Sequence, residues 1–322
     1  MHNSTAKHTL TEVEAMPSKK MFDRFKKHFM RDYQLYLMLL PTLVFFIIFE
    51  YLPMYGIQLA FKKYSAMKGI WGSPWNGLDN FRRFFNSYAF WRVIKNTLGI
   101  SIYQLFISFP LPIILALLLN QVRSKRFKKV VQTVTYAPHF ISTVVLVGML
   151  HIFLSPRSGI INHAIKAMSG NTIFFLGEAS WFKTIFVFSG VWQNCGWGAI
   201  VYLAALTAVD TDLYSSAYVD GCNRFQIIRH VDIPSILPTA VIMFILNAGK
   251  MMRVGFQKVY LLQNDLNLST SEVISTYVYK IGLIDGQFSY STAVNLFNTI
   301  INIILLVTAN KLAKKVTDTS LW

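Results

Sequence analysis

An all-α, polytopic membrane fold is what this 322-residue chain predicts, on two observations. Only 14% of its residues are charged and 53% are hydrophobic, with a mean hydropathy of +0.41. A soluble domain carries about one-quarter charged residues. Apolar runs also recur at the length that crosses a membrane, roughly 20 residues for a hydrocarbon core about 30 Å thick. Six are read, at about 35–57, 93–119, 130–154, 184–208, 237–257 and 289–310. An even number of spans places both termini on one side.

Taken in order, residues 1–20 are polar, and Phe22–Tyr36 alternates aromatic and basic residues (FDRFKKHFMRDYQLY). That alternation predicts an interfacial helix leading into the first span, or equally a basic flank to it. The start of the chain is too polar for a cleaved signal peptide, so the first span is expected to serve as the targeting signal. After it comes GIWGSPWNGLDNFRRFF, whose Gly, Pro and Trp residues predict a compact turn. A short aromatic helix at headgroup level should follow. Pro41, Pro110, Pro112 and Pro138 lie in or near spans and are read either as hinges or as tolerated kinks. His139 and His151 are read as packing residues.

Orientation follows from the loops. The amino tail, the 120–129 loop, the segment around Arg224 and Arg229 and the carboxyl tail together hold seventeen Lys and Arg, against eleven on the other side. Both termini are therefore expected in the cytoplasm. The same bias accounts for much of the net charge of +16. No aromatic-interleaved basic platform accompanies it, so no nucleic-acid partner is expected.

Chemistry of other kinds finds little support. Cys195 falls in a span and Cys222 in a cytoplasmic loop, which makes no disulfide framework and no metal spacing. The histidines are scattered, and no phosphate loop ending in Lys-Ser/Thr is present. No catalytic residue, metal or cofactor is assigned, and a pump of this sequence would need a separate energy source. An ion-coupled transporter would want carboxylates near the bilayer midplane, and Glu50 is the one acid read within a span.

The most informative stretch is DLYSSAYVDGCNRFQIIRHVDIPSILP, from Asp212 to Pro238. Its charges forbid immersion in hydrocarbon. It reads as a helical elbow at the membrane surface, bent at Asp220-Gly221, with Pro234 and Pro238 setting where the next span begins. At these residues the chain resembles the permease subunits of binding-protein-dependent ABC importers. Their cytoplasmic loop runs Glu-Ala-Ala, three residues, Gly, about nine residues, then an apolar residue, any residue and Leu-Pro. Here Ser215-Ser216-Ala217 occupies the Glu-Ala-Ala position, followed by Val219-Asp220-Gly221-Cys222 and Val231-Asp232-Ile233-Pro234. The glutamate is missing, while the glycine spacing fits. The outer loop, Tyr202–Leu206 and Ser271–Tyr279 extend the resemblance to carbohydrate permeases of the oligosaccharide and polysaccharide type, alginate importers among them, over about 35–310.

The resemblance implies a six-span permease domain at 35–310 with a coupling elbow at 210–236, a cytoplasmic amino tail at 1–34 and a tail at 311–322. It implies a second permease subunit, two ATP-binding subunits, an extracytoplasmic substrate-binding protein and an oligosaccharide. The elbow's departure from the pattern favours a heterodimer, and membrane lipid surrounds the whole. ATPase coupling then falls to Tyr214, Ser215, Ser216, Ala217, Asp220, Gly221 and Arg224. Ala217 would permit close packing and Arg224 could reach an acidic partner residue.

A second constellation lies within the spans. Asn247, Lys250 and Arg253 fall at helical spacing in the fifth. Ser291, Asn295, Asn298 and Asn302 fall along one face of the sixth, and Trp192, Gln193, Asn194 and Trp197 in the fourth. Amides suit sugar hydroxyls, indoles suit the apolar face of a pyranose, and intramembrane cations suit a uronate. The bland reading is interhelical packing by the asparagines with both cations snorkelling, or neutralised by Glu50. An acidic oligosaccharide is the expected substrate; the alternatives are a neutral one or ion-coupled secondary transport.

Overall fold

The computed structural model describes residues 30–317. The tail before residue 30, with most of the expected interfacial helix, and residues 318–322 lie outside the described residues. Two compact units are present, Met1–Gly56 and Ile57–Trp322. Among the described residues the chain is helical without a strand, apart from an isolated bridge between Lys62 and Trp75.

The first unit carries most of α1, Tyr33–Phe61, whose most apolar window has a mean hydropathy of 2.1. A π turn at Ile47–Tyr51 stands just before Pro53. Proline has no N–H to give the preceding turn, and the wider turn accommodates the loss.

In the second unit, α2 (Asp79–Phe85) leads to α3 (Phe90–Asn120). Of the aromatics of α2, Phe85 is exposed and Phe84 turns inward. Phe84 is fully buried, edge-on to Phe90, Tyr290 and Phe297, because these rings gain more from one another than from an interface. Then come α4 (Lys125–Tyr136), α5 (Thr143–Phe153), α6 (Ile160–Ser169) and α7 (Phe182–Thr207). The elbow helix α8 (Thr211–Val219) precedes α9 (Arg224–Ala248), α10 (Phe256–Leu262), α11 (Ile274–Tyr279) and α12 (Phe288–Thr317).

Two expectations are corrected. The run at 130–154 is not one straight span: helical segments Lys125–Phe140 and Thr143–Phe153 meet at 100°. Pro138 lies in the short 3-10 turn at the break, and Ser142 caps the helix that restarts. The run expected at 237–257 is shifted toward the amino end: the membrane-capable helix begins at Arg224 and stops at Ala248. Asn223 and Gln226 form a reciprocal capping box at its start, so capping rather than proline places that end. A π turn at Ile228–Asp232 carries the helix past Pro234. Among the described residues, four helices are long and apolar enough to cross a membrane, or up to five if the bent pair is one span.

The remaining long helix, α7, is 26 residues, yet Gln193, Asn194 and three glycines interrupt its apolar surface. It packs against α3, α4 and α9, so it has polar work to do inside the protein. Gly196 is where α4 comes closest. A Cβ there would lie 2.2 Å from the Thr135 carbonyl oxygen. Gly196→Ala is therefore expected to cost about 1–3 kcal/mol by overpacking. A lower melting temperature in detergent should report it, and an unchanged one would mean the two helices can separate freely.

Candidate functional site

The end of α9 builds a polar pocket. Gly249 sits where a Cβ would approach Leu306 of α12 to 2.6 Å, so the two helices cross closely there. Beyond Ala248 the backbone turns tightly, Lys250 N donating to Asn247 O (3.1 Å) and Arg253 N to Lys250 O (2.8 Å). Backbone freed from a helix in apolar surroundings must find partners. Here Ser101 of α3 donates to the Met251 carbonyl, and Met252 N donates to Asn302 Oδ1 of α12 at 3.0 Å. The break is thus held from both sides.

Asn247, Lys250 and Arg253 do meet, though not on the helix face that their spacing implied, because Lys250 and Arg253 lie past its end. The turn brings them instead to a cavity of about 250 Å³ shared with Ser101, Gln104 and Ser108 of α3. Lys250 and Arg253 are exposed, and neither makes an ion pair among the described residues. Sequence reasoning missed the α3 contribution. Its signal was there: Ser101, Gln104 and Ser108 are three and four residues apart, a polar stripe on one face of an apolar helix.

The other expected path residues lie elsewhere. Gln193 donates to the Ile141 carbonyl (2.8 Å), and Asn194 Oδ1 meets His139 Nδ1 at 3.0 Å. Trp197 stacks on His139 with ring centroids 4.5 Å apart. These three residues steady the break between α4 and α5, where polar backbone again needs partners. Trp192 lines a largely apolar cavity of about 520 Å³ with Phe153, Phe188 and Met149. Along α12, Ser291 and Asn295 line a cavity of about 310 Å³ with Phe256, Tyr279 and Phe288. Asn298 and Asn302 are buried, Asn302 holding the α9 break as described.

The elbow is a short helix that ends in a bend. Asp210 caps α8 by accepting from Asp212 N at 2.9 Å, and Gly221 adopts φ +74° after it. Leu213, Tyr218, Val219 and Phe225 are exposed apolar side chains here, Val219 at 88%. Ser215, Ser216, Asp220 and Arg224 are exposed as well, while Ala217 is buried against the chain itself. Tyr214 also turns inward, donating to Asp232 Oδ1 at 2.6 Å. Burial, and next the bond to Asp232, push its hydroxyl pKa up to about 12, so it stays a donor at any physiological pH. Asp232 was legible only as one of the elbow's charges; it is wholly buried.

Residues 108–318 match the family described as binding-protein-dependent transport system inner membrane component. The chain belongs to that family. It is 45% identical to the polygalacturonan/rhamnogalacturonan transport system permease protein YteP of Bacillus subtilis (strain 168), over 87% of this chain and 88% of that one. Its fold is similar to the crystal structure of a bacterial ABC transporter involved in the import of the acidic polysaccharide alginate, with a TM-score of 0.85 and 40% identity, covering 91% of this chain and 99% of the other. A bacterial alginate ABC transporter in complex with alginate pentasaccharide-bound periplasmic protein matches with a TM-score of 0.85 and 39% identity, over 92% of this chain and all of that chain. This permease is thus a component of an ABC importer in the inner membrane, and the ion-coupled alternative is set aside.

Proposed function

We propose that the chain forms half of the pore of an importer that moves an acidic oligosaccharide inward by alternating access. The observation that carries this reading is the pocket at the α9 break. It holds two cations without an acidic partner among the described residues, beside amide and hydroxyl groups from α3. A carboxylate would satisfy the cations, while Asn247, Gln104 and the serines suit sugar hydroxyls. A helix interrupted inside a membrane protein is a recurrent way to build such a site. The polyuronate and alginate systems to which the chain is similar support the same substrate class.

The remaining assembly follows the family's plan. A second, different permease subunit completes the pore, and a substrate-loaded binding protein delivers from outside. Two ATPase subunits complete it, one of them docking at α8, where Leu213, Tyr218, Val219 and Phe225 offer an apolar contact and Arg224 a charge. This chain carries no hydrolytic site of its own. Six crossings, with α7 and the bent α4–α5 pair among them, put both termini in the cytoplasm.

Two measurements test this. ATP hydrolysis by the purified assembly with its binding protein should rise with uronate oligomers more than with neutral oligosaccharides of equal length; the reverse order would overturn the acidic preference. Cys222, half-buried beside the elbow, should react with a membrane-impermeant maleimide in inside-out vesicles lacking the ATPase. Labelling from the outside of intact cells would invert the topology.

A further inference from the structure

We infer that Asp232 is a positioning residue that ties the elbow helix to two membrane helices at once, so that movement of α8 is delivered to both. The inference rests on reading α8 as the ATPase-docking helix. Asp232 lies in the π turn of α9 and is fully buried. Its Oδ1 accepts from the Tyr214 hydroxyl of α8 at 2.6 Å and from Asn120 Nδ2, at the end of α3, at 3.2 Å. Its Oδ2 accepts from Gln121 Nε2, just past α3, at 2.9 Å. Asn120 Nδ2 also reaches the Tyr214 oxygen at 3.4 Å.

Among the described residues Asp232 makes no ion pair. A buried carboxylate without a cation depends on its hydrogen bonds, and each donor withdrawn leaves it less satisfied. Tyr214, Asn120 and Gln121 therefore hold together as a set. On α8, Tyr214 and the buried Ala217, three residues apart, turn into the protein, while Leu213, Tyr218 and Val219 are exposed. A force on α8 passes through the Tyr214 hydroxyl to Asp232, and so to α9 and α3 together. The same α9 ends at the Lys250–Arg253 pocket, and the same α3 supplies its Gln104 wall.

Two substitutions separate the tie from simple packing. Tyr214→Phe keeps the ring and removes one donor. Asp232→Asn keeps the shape but turns an N–H₂ toward groups that also donate. Alkylation of Cys222 by an impermeant maleimide, resolved from Cys195 by mass spectrometry in the purified chain, should quicken by on the order of tenfold in both. Reconstituted with the ATPase, partner permease and loaded binding protein, both variants should move several-fold less sugar per ATP hydrolysed. Unchanged Cys222 kinetics would overturn the tie, and unchanged sugar per ATP would overturn its role in transmission. Failure of the Tyr214→Phe chain to assemble would also overturn it, by giving the network a purely structural part. An unmodified assembly that ignored a loaded binding protein would instead sink the transport reading, while the thiol kinetics still decided the tie.

Discussion

Neutralising Lys250 and Arg253 together, as Lys250→Gln with Arg253→Gln, should lower uptake of an acidic oligosaccharide by roughly tenfold while sparing neutral sugars. A hydrogen bond to a charged group contributes about 1.5–3 kcal/mol when water is excluded. Both side chains are exposed in the isolated chain, so solvent screening must reduce that figure, and tenfold for the pair is the discounted expectation. Glutamine retains hydrogen-bonding capacity and length, so the variant isolates charge. Neither cation makes a side-chain hydrogen bond or an ion pair among the described residues, which argues against a scaffolding role. The measurement is uptake into proteoliposomes holding the complete assembly, with matched uronate and neutral oligomers. Equal loss on both would show that the two residues hold the α9 break rather than read the substrate.

Valine at Gly221 should abolish productive docking of the ATPase while the chain still inserts and folds. The residue sits at φ +74°, and a Cβ there would meet nothing within 4 Å. The penalty is therefore purely one of backbone conformation, about 1–2 kcal/mol for an ordinary L-residue and more for a β-branched one. That is enough to let the chain leave the left-handed turn, which would swing α8 away from the start of α9. Asparagine tolerates this conformation better, so Gly221→Asn should keep most transport where Gly221→Val loses it. Co-purification of the ATPase and sugar-stimulated hydrolysis are the readouts. Normal transport by the valine variant would remove the assigned role of the bend. Equal damage by both variants would mean that a docked partner, not φ, needs the missing side chain.

The elbow was readable because its signals are local. A short polar helix and the glycine at its left-handed bend lie within a dozen residues of one another. The membrane class was readable for a similar reason, since the free energy of an apolar helix in lipid depends on its own composition. α7 falls short of the apolarity of a free-standing span because its neighbours, not lipid, receive Gln193 and Asn194.

Composition and local pattern by themselves determined that this is a helical membrane protein with a bent polar elbow, because each of those properties is decided within a few turns of chain. Only the tertiary structure decided where α9 stops. That depends on α12 crossing at Gly249, and on Ser101 and Asn302 taking up the backbone groups a break exposes. For the same reason Lys250 and Arg253 meet at a turn rather than along a helix, facing Gln104 from a segment far away in sequence. Asp232 is the plainest case. Nothing in its own neighbourhood distinguishes a solvated loop charge from a buried hub, because the donors that make burial possible arrive from Tyr214, Asn120 and Gln121 on other elements.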